Sequence, residues 1–431
     1  MIIEIKGLSE EEKVRLNLSS TYFSVYYNRS RRYQHVYDAL SPLAPKSVKE
    51  IWCLITNTAR ALKSRAEGIK IPRHHSAFRD NKQGIRHSQF VILLDKLEQE
   101  GYLNYYRGGL INMDVEERQL SIYIPTPKYL ALWEGVDVSK EKIEYSFLQV
   151  RDRFTKELLS TRRRKGAADI AKMLQEYNAF LETVDIAVNG VSLPSQQYAR
   201  IFTENMERGG RYYNLSGSVQ TMPSSYRKTI TINGEATAEL DFKALHPSIL
   251  YEQVEKVIGK PVDMEDPYNI DLTGLFKIDE SVELPVGHNP ARNLVKQVLL
   301  KGLNARDAKA TYGTLVSSWI DEHKKGVEGA FYGLVPCTPT FPAKALCERV
   351  VAAHPLIKEA FFSDVGLLLM KIDSDIITKV LRSFMDIGVC ALSWHDSVVV
   401  PEKYVDMAYA QMLKAYKEVV GGANHCRIER E

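Results

Sequence analysis

A β-hairpin pattern with an aspartate near the end of its second strand is the feature that most constrains how this chain can fold. Residues 228–232 alternate like a strand, and Asn233-Gly234 is a strong signal for a two-residue hairpin turn. Residues 237–242 return as the second strand, so Asp241 lies close to its end, just before a helix expected to begin at Pro247. Because a strand end holds a side chain rigidly, this carboxylate is suited to ligate a metal at a crevice.

A second aspartate has a matching position. Residues 389–394 and 397–400 are apolar runs that predict two strands, joined by a turn at His395-Asp396. A carboxylate at the tip of a buried hairpin must be paired, metal-bound or exposed at the mouth of a crevice. An isolated aspartate in a turn is usually only a turn former, so the prediction depends on the pair. Two carboxylates on adjacent strands can hold two divalent cations for in-line phosphoryl transfer, and Mg²⁺ suits such a site because it takes few protein ligands.

Cations recur at one-turn spacing on a helix predicted between these strands. Asn289-Pro290 supplies a good N-cap and a good first helical residue. One face then carries four residues at intervals of four: Arg292, Lys296, Leu300 and Asn304. Two cations one turn apart near a helix N-terminus can bind a triphosphate, aided by the helix dipole. The alternative is a surface helix with solvated cations, and the helix alone does not decide between them.

The composition is ordinary for a globular protein and excludes few functions by itself. The 431 residues suggest two or three domains, and a net charge of +3 says little about partners. No uninterrupted apolar stretch is long enough for a transmembrane helix, and residues 1–12 are amphipathic and acidic, unlike a secretory signal. Five scattered cysteines include no CxxC pair, so we expect neither a disulfide framework nor a zinc site, and a cytoplasmic location.

The first 135 residues are expected to form a winged-helix-like domain. Residues 47–65 and 88–100 predict amphipathic helices, and residues 102–107 and 119–124 predict a β-hairpin. In a winged helix the second helix enters the major groove and the hairpin touches phosphate. The predicted DNA contacts are Arg73, Arg79, Arg86 and Arg107. Because such modules also dock proteins, both kinds of partner remain open.

Residues 138–205 form a charge-rich region that is expected to be mostly helical. The run Arg162-Arg163-Arg164-Lys165 is either a solvated helix face or a surface that contacts phosphates. Residues 206–431 alternate predicted strands and helices and contain both aspartates and the cationic helix. The predicted fold class is therefore α+β, with several domains.

Taken together, the motifs of residues 206–431 resemble the polymerase core of family-A DNA polymerases and the related single-subunit phage-type RNA polymerases. Four motifs occur in the family's order. They are Gly210-Arg211 with Gln220, Pro223 and Arg227-Lys228 downstream; motif A, from Leu240-Asp241-Phe242 to Pro247-Ser248-Ile249; the start of motif B, Arg292 and Lys296; and motif C, His395-Asp396-Ser397. Asp266-Pro267-Tyr268 also resembles a short segment that follows motif A in the family.

The resemblance implies a right-hand polymerase with palm, fingers and thumb, joined to the winged helix. Asp241 and Asp396, with the Phe242 carbonyl, would ligate two Mg²⁺ ions, with Mn²⁺ as an alternative metal. Arg292 and Lys296 would hold the triphosphate, and Lys296 would protonate the leaving pyrophosphate.

The resemblance also implies contacts with the nucleic acid. Region 138–205 would be the thumb, and His395 is assigned to the primer terminus or to a structural role rather than to acid–base chemistry. The residues expected to contact the primer–template backbone are Arg211, Gln220, Arg227 and Lys228.

Three positions depart from the DNA polymerase pattern. His246 stands where DNA polymerases carry a Glu or Tyr that excludes the ribose 2′-hydroxyl, and Ser397 follows the motif C aspartate as in the RNA polymerase branch. Asn304 replaces a Tyr that stacks on the templating pair. His246 and Asn304 are thus expected at the nucleotide, and the departures point toward tolerance of ribonucleotides.

The predicted function is that of a template-directed nucleotidyltransferase, a DNA-directed DNA polymerase that extends a primer on DNA with dNTPs. De novo priming with NTPs, a primase activity, stays open beside it. No proofreading nuclease is expected, because the winged helix and thumb fill the space before the core. The expected role is replication of a mobile element or phage, with a helicase and a single-strand-binding protein as candidate partners. The alternative is a non-catalytic winged-helix replication initiator or regulator.

Overall fold

The computed structural model describes residues 2–4, 8–78, 83–108, 120–141, 146–216, 219–222, 224–285, 287–325, 329 and 331–431. They form a mixed architecture of helices and several β-sheets, as the sequence predicts. The chain divides into two compact units, the first with residues 1–147, 170–199 and 213–237 and the second with residues 148–169, 200–212 and 238–431. The predicted ranges 1–135, 138–205 and 206–431 differ from this division and remain predictions as functional domains. Within the described ranges, no helix is long and apolar enough to cross a membrane.

The N-terminal part of the first unit is a five-stranded sheet packed with helices. Its elements are β1 (Ile2–Glu4), α1 (Glu10–Leu18), β2 (Ser20–Tyr22), α2 (Gln34–Leu40), α3 (Val48–Lys63), β3 (Gly68–Ile71), α4 (His87–Gln99), β4 (Leu103–Arg107), β5 (Ser121–Pro125) and α5 (Pro127–Leu130). The strand order is β1-β4-β5-β3-β2, and β5 is antiparallel to both of its neighbours.

The two amphipathic helices predicted here are confirmed as α3 and α4. Ile51 and Ile55 of α3 share one buried core with Leu94 and Leu97 of α4. Each such burial is worth roughly 1.5–3 kcal/mol. The predicted hairpin is confirmed as β4 and β5, although Gln119 lies outside the described residues. The winged-helix assignment and its contact with DNA remain predictions.

The region 138–205 contains more strands than helices, so the prediction that it is mostly helical is wrong, and its assignment as a thumb remains a prediction. Its elements are β6 (Leu148–Arg151), β7 (Leu158–Leu159), α6 (Ala167–Leu181), β8 (Ile186–Val188), β9 (Val191–Ser192) and β10 (Tyr198–Thr203), followed by β11 (Gly209–Asn214). Most of these strands are too short to show an alternating pattern. The run Arg162-Arg163-Arg164-Lys165 lies in turns before α6, so its interpretation as a helix face is also wrong.

The rest of the chain carries the predicted motifs. Its elements are α7 (Ser224–Arg227), β12 (Ile230–Ile232), β13 (Glu235–Phe242), α8 (Leu245–Ile258), β14 (Phe276–Ile278), α9 (Pro290–Asn304), α10 (Ala308–Lys325), β15 (Leu334–Pro336), α11 (Ala343–Ala353), α12 (Gly366–Met385), β16 (Leu392–Trp394), β17 (Ser397–Pro401), α13 (Val405–Val420) and β18 (Ile428–Arg430). Short 3-10 helices lie at Arg31–Tyr33, Ser41–Leu43, His75–Phe78, Ala131–Trp133, Val219–Thr221, Pro355–Ala360 and Glu402–Tyr404.

The first predicted hairpin is confirmed as β12 and β13. Asn233 and Gly234 have φ of 50° and 78°, the left-handed conformations that a type I′ turn requires. The helix after β13 begins at Leu245, not at Pro247 as expected. Proline is tolerated in the first turn because the amides there have no intrahelical acceptor.

The strand that carries Asp241 pairs within the second unit with β17 and with β18. Trp394 of β16 lies opposite Ser397 of β17, so His395-Asp396 is the predicted two-residue turn, and His395 has a φ of 56°. The helices α8, α12 and α13 pack against one another, and α13 also packs on β17. This sheet therefore brings both predicted aspartates to neighbouring strands.

Candidate active site

A cavity of about 710 Å³ in the second unit collects most of the predicted site residues. Those that line it are Arg211, Asp241, Phe242, His246, Arg292, Lys296, Asn304 and Asp396. They come from β11, β13, α8, α9 and the turn between β16 and β17. Motifs that are far apart in sequence are therefore brought to one site.

The two aspartates line this cavity where β13 meets the β16–β17 turn. The amide of Phe242 donates a hydrogen bond to the carbonyl of Asp396 at 3.4 Å, which joins the two segments. Burial, followed by the negative charge of Asp396, raises the pKa of Asp241 from its ordinary value of 3.8 to about 6. The two carboxylates therefore interact, as neighbouring metal ligands would.

The cation nearest to this pair in the described residues is Lys243. Its Nζ donates to Asp241 Oδ2 at 3.2 Å, lies 3.8 Å from Glu429 Oε2 and contacts Glu431. Carboxylate and carbonyl oxygens are the ligands that Mg²⁺ prefers, and a bound cation would offset both the burial and the neighbouring negative charge that raise the pKa of Asp241. The donor set around the two aspartates therefore fits divalent magnesium.

The capped helix α9 forms another wall. Asn289 Oδ1 accepts from the amide of Arg292 at 3.0 Å, and Pro290 is the first helical residue, as predicted. All four residues of the predicted face line the cavity: Arg292, Lys296, Leu300 and Asn304. This wall therefore presents two cations near a helix N-terminus, a geometry suited to phosphate oxygens.

The Asp266-Pro267-Tyr268 segment holds one of these cations. Arg292 Nε donates to Asp266 Oδ2 at 2.7 Å, and the guanidinium lies 5.1 Å from the centre of the Tyr268 ring. Burial opposes ionisation of Asp266, but hydrogen bonds from Arg292 and from the Tyr268 amide outweigh it, so the pKa of Asp266 is lowered. Burial raises the pKa of Tyr268, and the nearby charges of Asp396 and Asp241 add to the effect. This segment thus orients Arg292 beside the aspartate pair.

A site residue that the sequence did not indicate is Asp373, on α12. Its side chain is fully buried, and Oδ2 accepts from Arg211 Nε at 2.8 Å and lies 3.0 Å from His246 Nε2. Among the described residues, Asp373 Oδ1 and His246 Nδ1 have no hydrogen-bond partner. Asp373 therefore fixes the two predicted residues relative to each other.

Asn304 and His395 are predicted residues with visible structural contacts. Asn304 Nδ2 donates to the Leu300 carbonyl at 2.8 Å, and its side chain packs against the backbone of Gly366. Burial, followed by the positive charge of Arg211, lowers the pKa of His395. The predicted contacts of Asn304 with the templating pair and of His395 with a primer remain predictions.

The remaining predicted nucleic-acid contacts are not among the residues that line the cavity. In the first unit, Gln220 Oε1 accepts from the amide of Asn214 at 2.8 Å, and Lys228 is exposed. Arg73 donates to Asp95 at 2.9 Å, and Arg86 donates to the Lys46 carbonyl at 2.7 Å and lies 3.4 Å from the buried carboxylate of Glu50. Arg227 ends α7, Arg107 is exposed at the end of β4, and Arg79 lies outside the described residues. Their roles remain predictions.

A second group of metal-ligating side chains lies elsewhere in the second unit. Glu252, Glu255 and His425 are buried, and one ligand atom of each lies within 4.8 Å of the others. His425 Nε2 is 3.0 Å from Glu255 Oε1, so the group is also explained as a buried ion pair. It shares no residue with the aspartate pair.

Comparisons with known proteins add little to this geometry. No family model and no curated protein matches the sequence. A solved structure of the POL domain of Pol1 from M. smegmatis, in complex with DNA primer-template and dNTP, is similar over 62% of this chain at 12% identity and a TM-score of 0.28. The match spans 51%, about half, of that structure's chain. A likeness this distant carries no argument about fold or function.

Proposed function

We propose that the protein is a template-directed nucleotidyltransferase, a DNA polymerase that extends a primer by two-metal phosphoryl transfer. The observation that supports it most is the convergence of Asp241 and Asp396, 155 positions apart in sequence, on a cavity also lined by Arg292 and Lys296. Acidic ligands together with cations on a capped helix match a metal-bound triphosphate.

In this proposal the side chains of the cavity divide the work. Asp241 and Asp396, with the Phe242 carbonyl, would hold two Mg²⁺ ions, which when bound lower the pKa of the attacking 3′-hydroxyl and stabilise the leaving pyrophosphate. Arg292 and Lys296 bind the triphosphate, and Lys296 gives a proton to the pyrophosphate as it leaves.

The contacts of Arg292 fix the orientation of its guanidinium toward a bound nucleotide. Its Nε and Nη2 both donate to Asp266, at 2.7 and 3.5 Å, and its face lies over Tyr268, which leaves Nη1 to meet phosphate. Because the aromatic face and the carboxylate set the plane of the fork, Arg292→Lys is expected to raise KM for the nucleotide more than it lowers kcat.

Primer extension tests the proposal directly. Wild type, Asp396→Asn and Asp263→Asn are compared on a primed DNA template with Mg²⁺, where Asp263 is an exposed aspartate outside the cavity. Loss of a metal ligand is expected to reduce incorporation by at least about 100-fold, the scale of one lost transition-state stabiliser, while Asp263→Asn stays active. Equal incorporation by wild type and Asp396→Asn refutes the two-metal assignment.

Primase activity is a finer part of the proposal. The side chain expected near the sugar is His246, which is smaller than Tyr and lacks the charge of Glu, and it is held by Asp373. The same assay without primer, on single-stranded DNA with NTPs or dNTPs, distinguishes the cases. If product forms only when a primer is added, the proposal of de novo initiation is refuted and the proposal of primer extension stands. Replication of a mobile element or phage, with DNA held by the winged helix, belongs to the same proposal.

A further inference from the structure

The turn between β6 and β7 presents an exposed aromatic side chain on an ordered support. Asp152 Oδ1 accepts from the amides of Phe154 and Thr155, each at 2.8 Å, which closes the turn. Phe154 is 75% exposed and Leu158 is 66% exposed. Turn tips are normally polar, and this exposed aromatic ring is accessible for stacking on a ligand.

Positive charge surrounds this ring. The guanidinium of Arg306 lies 5.8 Å from the centre of the Phe154 ring, and its side chain is 48% exposed. Arg306, Arg153 and Arg208 converge on a single carboxylate, Asp364, whose side chain is 6% exposed. Arg153 Nη2 donates to Asp364 Oδ1 at 2.8 Å and Arg306 Nε lies 3.4 Å from Oδ2. We refer to Phe154, Arg153, Arg208 and Arg306 as the hairpin patch.

The charge balance of the patch favours an anionic ligand. Three guanidinium groups share the buried carboxylate of Asp364, and the other acidic group within 4.0 Å of them in the described residues is Glu204, beside Arg208. Between residues 151 and 165 there are seven Lys and Arg and two Asp and Glu, a net charge of +5. Arg162, Arg163 and Lys165 are exposed within this stretch. Local positive charge of this size attracts a polyanion.

The patch begins where a wall of the cavity ends. Asn304 is the last residue of α9 and lines the cavity, and Arg306 follows two positions later. The amide of Asp364 donates to the carbonyl of Ala305 at 2.8 Å, which fixes the arginine cluster to the end of that helix. A strand that leaves the cavity at Asn304 would therefore meet the patch next.

We propose that the hairpin patch binds the unpaired template strand of a DNA substrate, with the Phe154 ring stacked on a nucleobase and the arginines against phosphates. Stacking platforms beside cationic side chains are the common means of holding single strands without sequence preference. The identity of the strand rests on the proposed function, whereas binding of single-stranded DNA does not. An acidic protein segment would also pair with the arginines, but it would not give a preference for an overhang substrate over a blunt duplex.

A binding experiment with two DNA probes tests the patch. The full chain is titrated by fluorescence anisotropy with a labelled primer–template that carries a 5′ overhang and with the blunt duplex of the same sequence. Phe154→Ala is expected to remove about 5- to 150-fold of affinity for the overhang substrate, the range for one lost base stack, and to leave blunt-duplex affinity unchanged. Phe154→Trp is expected to keep the preference, and Arg306→Gln to reduce the salt slope of overhang binding by about 1.

The controls separate this inference from the polymerase proposal. Tyr409→Ala removes another exposed aromatic, 46% exposed on α13, and is expected to bind both probes like wild type. Equal overhang affinity for Phe154→Ala and wild type overturns the patch, even if primer extension is robust. If the wild type extends no primer but Phe154→Ala still loses overhang affinity selectively, the patch stands and the polymerase assignment fails. An unchanged urea midpoint for Phe154→Ala, expected because the ring is so exposed, shows that the variant is folded.

Discussion

Asp241→Asn is expected to stabilise the metal-free protein at neutral pH, although it removes a proposed metal ligand. Burial and the charge of Asp396 raise the pKa of Asp241 from 3.8 to about 6. The Asp241 side chain is only 25% exposed, so solvent screening removes little of this effect. At about 1.4 kcal/mol per pKa unit, ionised Asp241 costs the folded state about 3 kcal/mol, taken as an upper bound. Asparagine, which does not ionise, removes this cost.

The sign of the pH dependence follows from the direction of the shift. Because the folded-state pKa is raised, the folded protein binds more protons than the unfolded chain between about pH 4 and pH 6, and its free energy of unfolding falls as pH rises through that window. The advantage of Asp241→Asn over wild type is therefore expected to be about 3 kcal/mol at pH 7.5 and about half of that at pH 5. On the proposed metal assignment, Mg²⁺ should reverse the order, because it would bind the folded wild type and not the variant.

Urea unfolding in EDTA at both pH values checks this, with Asp263→Asn as the matched surface control. An Asp241→Asn midpoint at or below that of wild type at pH 7.5 would contradict the claim that burial and a neighbouring carboxylate disfavour ionised Asp241. So would an advantage that grows on acidification.

Three further outcomes are expected. Asp373→Asn should lower the free energy of unfolding by about 3 kcal/mol in urea, because Arg211 loses its buried counter-charge, and a change below 1 kcal/mol would speak against that pairing. Gly210→Ala should destabilise by more than Gly234→Ala, since both glycines have positive φ but only at Gly210 would a Cβ lie 2.3 Å from the Phe202 ring; equal thermal midpoints would argue against the clash. At subsaturating Mg²⁺, the rate of primer extension should fall as pH drops through about 6, because protons compete with the metal for Asp241. If added Mg²⁺ does not shift the pH of this fall, the fall is due to another group.

Local signals explain which parts of the site could be predicted. The N-cap of Asn289 and the four-residue spacing of α9 act within a few turns of chain, so the sequence is enough to predict this helix and the face that lines the cavity. The turn at Asn233-Gly234 follows equally from local backbone preference. Each of these features depends on neighbours in sequence, which is why the sequence sufficed.

Asp373 is a site residue that could not be predicted from the sequence. It lies on α12 among Lys371, Ser374 and Asp375, and nothing in that order shows which carboxylate turns inward. Its role appears only when β11 and α8 bring Arg211 and His246 to the same helix. The β6–β7 hairpin was missed for a related reason, since it is held by the Asp152 side chain and not by a periodic pattern.

The distribution of charge in the cavity joins these observations. Asp241, Asp396 and Glu429 come from the sheet and its β16–β17 turn, and α9 supplies Arg292 and Lys296. Each set also has a counter-charge in the lining, Lys243 beside Asp241 and Asp266 beside Arg292. A cavity lined only by anions would repel a triphosphate, and one lined only by cations would repel magnesium. The two elements together complement a ligand with a cationic and an anionic end, which is the charge pattern of a metal–nucleotide complex. Since neither half of the site binds such a ligand well alone, the convergence of sheet and helix supports nucleotidyl transfer more strongly than any single motif.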